Sequence, residues 1–204
     1  MESILEKKDF EISEDLTDNE LAVLARKRSS YYYDEITKRY QGKLFAYLYR
    51  LIGSREEAED LLQNVFIKTL KNLDSFDAER KFSSWIYRIA HNEAVNHIKR
   101  KSLKRFVPWE SVKASKDKLK ISGRQEGADK IWERKELSSE VASAINRLPF
   151  KYKQILDLRY YEDKSYEEIS DILEKPINTV GTLISRAKKK LAEELKDFEE
   201  NNLI

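Results

Sequence analysis

A chain of 204 residues, 37% charged and 40% hydrophobic, is long enough for one or two small domains. Its 39 Lys and Arg nearly balance 37 Asp and Glu, so a net charge of +2 identifies no partner and only local patches can. With no cysteine the chain can form neither a disulfide nor a cysteine metal site, which fits a reducing cytoplasm; five Gly and three Pro favour an all-α protein over a sheet.

Residues 1–16 show no helical period and are expected to be an N-terminal tail. The stretch Met1 to Glu20 is acidic and lacks the basic start and apolar run of a signal peptide, and nowhere does an apolar stretch approach a membrane span. A helix is predicted from Asp18, which would cap it, with Leu21, Leu24 and Ala25 on one face. Ser29-Ser30 interrupt it. The segment Tyr31 to Ile52 then carries Ile36, Tyr40, Leu44, Tyr47, Leu48 and Leu51 on one side, and Gly53 follows where a left-handed residue ends a helix. Ser54-Arg55-Glu56-Glu57 has the form of a capping box. The helix it opens should bury Ala58, Leu61, Leu62, Val65, Phe66, Thr69, Leu70 and Leu73, leaving Glu56, Glu59, Asp60, Gln63, Asn64 and Lys68 outside. Asp74 to Arg80 is expected to be a loop.

The next stretch concentrates the chemistry. Phe82, Trp85, Ile86, Ile89, Ala90 and Ala94 recur at three- and four-residue steps, the period of one helix face. Trp85, Tyr87 and Arg88 add flat rings and a guanidinium, and the helix runs out into Lys99, Arg100, Lys101, Lys104 and Arg105. Rings that can stack on bases, followed by cations that can neutralise phosphates, suit a protein that handles opened nucleic acid.

Beyond Arg105 the period dissolves among Lys113, Lys116, Lys118, Lys120, Pro108, Gly123 and Gly127, so residues 106–128 read as a flexible basic linker. Fully extended, it would span on the order of 70 Å. A second helical block, 129–197, begins near Ile131. Leu137, Val141, Ala144, Ile145 and Leu148 make one face up to Pro149, and Ile155, Leu156 and Leu158 lie in a helix from Phe150 to Tyr161. Ser165-Tyr166-Glu167-Glu168 is a capping box opening a short helix to Leu173. After Glu174-Lys175-Pro176, with Pro176 in the first turn, a second helix runs from Ile177 to about Leu195. Val180, Ile184, Ala187 and Leu191 face inward; Asn178, Thr179, Thr182, Ser185, Arg186, Lys189 and Lys190 face out. A short helix, a tight break and a polar-then-basic helix describe a helix-turn-helix whose second helix enters the major groove. Residues 198–204 are expected to be a C-terminal tail.

Two stretches in the first block, Ala58 to Phe66 and Phe82 to Asn92, together with Leu148-Pro149, Tyr166 to Ile169 and Asn178 to Ala187 in the second, resemble the bacterial RNA polymerase sigma factors of the extracytoplasmic-function group. The likeness runs from about Thr17 to Leu195. It implies two helical domains joined by a flexible linker, with no catalytic site, cofactor, metal or small-molecule substrate. Residues 17–105 would bind core RNA polymerase and the −10 promoter element, and residues 129–197 the −35 element. Asp60, Gln63 and Asn64 then belong to the face that meets polymerase. Arg80, Trp85, Arg88 and Asn92, with Lys99 and Arg100 beyond them, would hold the unpaired non-template strand. Gly181, Thr182, Ser185 and Arg186 fall where the family reads bases, with Thr179 and Lys189 near phosphates. A dedicated anti-sigma protein is a further partner such a factor can have. Asn96, where the family often has an acidic residue, and Gly181 and Leu183, in slots often basic, depart from the pattern. So does Glu174, in a turn position where glycine is common. The rival reading is a helix-turn-helix repressor or activator, which would usually dimerise; no heptad seam supplies a dimer helix. An enzyme would have to rest on His91, Glu93 and His97, but histidines six residues apart do not share a helix face as a zinc-binding i, i+4 pair does.

Overall fold

The structure is a computed structural model that describes residues 16–27, 30–105 and 141–202. The tail to residue 15, the linker 106–128 and the start of the second block near Ile131 lie outside the described residues. In chain order the helices are α1 (Asp18–Lys27), α2 (Ser30–Ile52), α3 (Arg55–Lys71), a 3₁₀ turn (Leu73–Ser75), α4 (Phe82–Arg105), α5 (141–147), α6 (Phe150–Leu156), α7 (Tyr166–Leu173) and α8 (Ile177–Asn202). A π-helical turn, Asp157–Tyr161, continues α6. No strand occurs among the described residues.

In the first domain α2 is the central element, with α1, α3 and α4 packed around it. The expected stripe of α2 is its core: Ile36, Leu44, Tyr47 and Leu48 are fully buried. Phe82, Ile86, Ala90 and Ala94 of α4 meet it. Each such large apolar side chain contributes about 1.5–3 kcal/mol by leaving water. Gly53 takes φ 80° at the end of α2, as expected. The start of α1 differs from expectation. Thr17 is the cap: its Oγ1 accepts from the Glu20 backbone N, and Glu20 Oε2 accepts from the Thr17 N at 2.8 Å. Asp18 is held elsewhere, accepting from the Tyr40 hydroxyl and from Arg39 at 3.1 Å. Only half of the box at Ser54 forms. Ser54 Oγ accepts from the Glu57 N, but the Glu57 carboxylate turns to Lys101 Nζ at 2.6 Å.

The second domain packs α6 and α7 on α8, burying Ile155, Leu158, Ile169, Ile172, Val180, Ile184 and Ala187. The capping box at Ser165 is complete in both directions, at 3.0 and 3.2 Å. Glu174 stands at φ 51°, ψ 47°, the left-handed conformation the tight break demands. Without glycine that conformation costs on the order of 1 kcal/mol. Pro176 sits one residue before α8 and its carbonyl accepts from the Thr179 and Val180 N, so it caps the helix instead of lying in the first turn. The helix α8 continues past Leu195 to Asn202, through most of the stretch expected to be tail. The domains touch: α7 lies along α4, and α6 meets α2.

Candidate nucleic-acid interface

The loop from Asp74 to Arg80 is fixed by side chains that local pattern does not single out. Asn19 Nδ2 donates to the carbonyls of Ala78 and Arg80 at 2.9 and 2.7 Å, while its Oδ1 accepts from the Phe82 N at 2.9 Å. Arg26 donates to the Phe76 carbonyl at 2.7 Å. These bonds reach across fifty residues or more, so no short window of sequence could find them.

The fixed loop and the first turns of α4 enclose a pocket of about 240 Å³ lined by Phe76, Asp77, Arg80, Lys81, Trp85 and Arg88, among others. Three of the predicted strand-holding residues, Arg80, Trp85 and Arg88, therefore share one cavity. Trp85 is only half-buried. Its ring packs on Phe76 and Phe82, with centroids 5.4 and 5.6 Å away, and so serves both core and pocket. A half-buried ring that lines a pocket with three cations beside it has the chemistry to stack on a base and meet phosphates.

Asn92 is exposed one turn beyond Arg88 on the same face of α4, outside the pocket. Lys99 and Arg100 are exposed about 16 Å beyond Arg88 along the helix at 1.5 Å per residue, outside the pocket. The whole row lies on one helix, as its spacing requires.

A second surface lies on α3. Asp60, Gln63 and Asn64 are all exposed. Leu70, expected in the buried stripe, is instead 53% exposed, and Ile67 is 51% exposed. Among the described residues no neighbouring helix covers that side, because α2 and α4 take the opposite one through Ala58, Leu61, Val65 and Thr69. Asp60, Gln63, Asn64, Ile67 and Leu70 fall at three- and four-residue steps, a mixed polar and apolar strip of the kind proteins use to bind proteins. Asp60, Gln63 and Asn64 are legible in the sequence as outward polar residues; the sole signal for Ile67 is its place off the buried stripe.

On α8, Thr179, Thr182, Ser185, Arg186 and Lys189 are exposed on one side, with Gly181 half-buried between them. A Cβ at Gly181 would meet only a Tyr166 ring atom at 3.7 Å, so the missing side chain opens space on the outer face and is not required by packing. Thr182 Oγ1 donates back to the Asn178 carbonyl at 2.9 Å, leaving its lone pairs outward. Lys190 is paired with Glu193 at 2.7 Å.

The histidines are structural. His91 is buried with Nδ1 3.0 Å from the Tyr47 hydroxyl, and His97 lies 3.3 Å from Glu57. Burial first, then the charge of Lys175, pushes the His91 imidazole down to about 4. Among the described residues no group of three His, Cys, Asp or Glu side chains is placed to hold a metal.

Comparison with known proteins agrees with this geometry. The family description Sigma-70 region 2 matches residues 36–104, and Sigma-70, region 4 matches residues 138–191. The ECF RNA polymerase sigma factor SigW of Bacillus subtilis is 36% identical over 80% of this chain and 89% of its own. The ECF RNA polymerase sigma-E factor of Escherichia coli is 31% identical over 87% of this chain and 94% of its own. Among solved structures, the Bartonella quintana sigma factor RpoE with the anti-sigma factor NepR superposes with a TM-score of 0.62 at 23% identity, covering 80% of this chain and 96% of that one. The fold, the two family regions in order and relatives above 30% identity over most of the chain rule against a stand-alone repressor or activator. The chain belongs to the extracytoplasmic-function RNA polymerase sigma factors, promoter-specific initiation factors that work as subunits of RNA polymerase.

Proposed function

We propose that residues 17–105 form the module that docks on core polymerase and holds opened −10 DNA, while residues 129–197 read the −35 element as duplex. The observation that carries this division is the contrast between the two cationic faces. The first is a cavity with an aromatic wall, containing Arg80, Trp85 and Arg88; the second is a convex, open helix face with Thr182, Ser185 and Arg186. A cavity accepts an unstacked base, whereas a convex helix fits the major groove. The strip Asp60, Gln63, Asn64, Ile67 and Leu70 is the polymerase-binding face, because exposed aliphatic side chains beside polar ones bind protein better than DNA. Thr179 and Lys189 meet phosphates, and Asn92, Lys99 and Arg100 carry the single strand away from the pocket.

On this reading the protein performs no chemistry of its own: polymerase does, and this chain supplies position. It acts in the cytoplasm, where polymerase and promoter are, and among the described residues no helix is long and apolar enough to cross a membrane. An anti-sigma protein is proposed as a second partner, as RpoE has in the Bartonella quintana complex.

Footprinting of a reconstituted polymerase complex tests the division of labour. Two separated protected stretches are expected, with permanganate-reactive thymines in the downstream one. Arg88→Ala should weaken only the downstream signal and Arg186→Ala only the upstream one. Loss of both signals from either substitution contradicts the proposal.

A further inference from the structure

The helix α1 lies outside residues 36–104, the stretch matched by Sigma-70 region 2, yet the backbone of the pocket loop converges on its side chains. Asn19 spends its whole amide there. Its Nδ2 donates to the carbonyls of Ala78 and Arg80, and its Oδ1 accepts from the Phe82 N. Phe82 opens α4, so its N–H is one of the donors a helix cannot satisfy within itself, and Asn19 caps it from another helix. Two turns further along the same face of α1, Arg26 donates to the Phe76 carbonyl and lies 4.0 Å from Asp74 Oδ1. One helix therefore holds the loop at both ends.

The support is rigid and the loop is not rigid by itself. Leu21 and Ala22 of α1 are fully buried, and Asp18 is tied to α2 through the Tyr40 hydroxyl and Arg39. In the loop, Phe76 and Phe82 are buried, but every residue from Asp77 to Lys81 between them is exposed. Apolar packing therefore fixes the two ends and nothing in the middle. The middle holds itself only by local bonds, Arg80 N to the Asp77 carbonyl at 3.0 Å and Glu79 N to Asp77 Oδ1 at 3.1 Å. Asp77, Arg80 and Lys81, which line the pocket, stand on this unpacked stretch. Asn19 does not line the pocket; it acts on the backbone that does.

We propose that Asn19 is a positioning residue for strand capture: without touching DNA, it holds the loop from Asp77 to Lys81 in the conformation that receives an unstacked base. The inference rests on the reading of the pocket as a strand site. A loop released from its support samples other conformations, and the apparent affinity for a strand falls in proportion to the fraction that stays competent. The position calls for an amide, which both donates two N–H groups and accepts. Aspartate has the same size and can still accept from the Phe82 N, but it donates to neither carbonyl and sets a charge against both. Asn19→Asp thus frees the loop while leaving the start of α4 capped.

The test uses full-length protein reconstituted with core polymerase on a promoter fragment mapped with the parent. Three quantities are read for each variant: affinity for core polymerase, closed-complex binding by footprinting, and the rate at which permanganate-reactive thymines appear. Asn19→Asp should slow open-complex formation about tenfold, the size of losing one or two hydrogen bonds, with the other two readings at parent values. Asn19→Gln, which restores both donors and the acceptor, should be faster than Asn19→Asp. Hydrogen exchange on the free protein should show faster exchange at Glu79 to Lys81 in Asn19→Asp and none of that change in α2. Open-complex formation at the parent rate in Asn19→Asp overturns the proposal. So does an equal loss in all three readings, which would make Asn19 a residue of the fold alone, and so does Asn19→Gln no faster than Asn19→Asp. Arg88→Ala separates the two levels of inference. If it too opens DNA at the parent rate, the pocket reading fails and the positioning role with it; if it slows opening and Asn19→Asp does not, the positioning role fails and the pocket reading stands.

Discussion

Among the groups whose protonation acid changes, buried His91 should destabilise this protein as pH falls. Its ring is buried, stacked on Phe150 with centroids 6.5 Å apart, and Nδ1 faces the Tyr47 hydroxyl. Burial, with Lys175 adding a like charge, lowers its pKa from 6.5 to about 4. Because the folded value lies below the unfolded one, the unfolded chain binds more protons between them. Stability present above pH 6.5 is therefore lost as pH falls toward 4. At pH 5 the unfolded imidazole is almost fully charged and the folded one about one-tenth charged, a difference of about 2 kcal/mol. Asp157 acts with the opposite sign. Burial raises it to about 7 against the pull of Arg50, so the folded chain binds more protons there and gains stability as pH falls. The raw pH dependence of one protein mixes the two, and a comparison separates them. Urea unfolding of the parent and of His91→Gln at pH 7 and pH 5 should show the parent losing about 2 kcal/mol more than the variant over that interval. Equal losses would show that His91 is not kept neutral by the fold. The Hε1 resonance absent from the variant should, in the parent, titrate near pH 4.

The binding surfaces give further outcomes. Asp60→Ala with Gln63→Ala, or Ile67→Asp alone, should weaken core polymerase binding by more than about 1 kcal/mol, measured by fluorescence anisotropy, with the helical circular dichroism unchanged. Arg80→Ala and Arg88→Ala should slow the appearance of permanganate-reactive open complex more than closed-complex binding; equal loss at both stages points to plain phosphate contacts. Arg186→Ala should relax preference at one or two upstream base pairs by about 1–3 kcal/mol in a binding-site selection. Lys189→Ala should instead weaken all sequences alike and reduce the salt dependence by nearly one ion. Lys190, already paired with Glu193, should show a smaller effect than Lys189.

Features set by a few neighbouring residues were legible in the chain. The box at Ser165, the left-handed Gly53 and the buried stripes of α2, α4 and α8 all follow from spacing within a turn or two, whereas the turn position of Glu174 came from the family resemblance. The misplacements have a common cause, which is competition from distant partners. Asp18 would cap α1 by residue type, yet Arg39 and Tyr40 claim it, and Thr17 takes the cap. Glu57 leaves its box for Lys101. Leu70 fits the buried period of α3, but no described element packs over it. For the site, spacing was enough to put Trp85, Arg88 and Asn92 on one face. It could not show that Asn19 and Arg26 pin the loop, nor that Arg50 reaches Asp157 and Glu162, because those pairs are separated by most of a domain or more. The π-helical turn at Asp157–Tyr161, which places both carboxylate partners of Arg50, leaves no periodic trace in sequence.

The account's central claim is that this chain gives core RNA polymerase promoter specificity, and in vitro transcription tests it most directly. Core polymerase with the purified protein on a library of genomic fragments, followed by start-site mapping, should yield discrete starts that share one upstream and one downstream motif. The same starts should disappear with the Asp60→Ala, Gln63→Ala protein. Starts that are scattered, or identical with and without the protein, would contradict it.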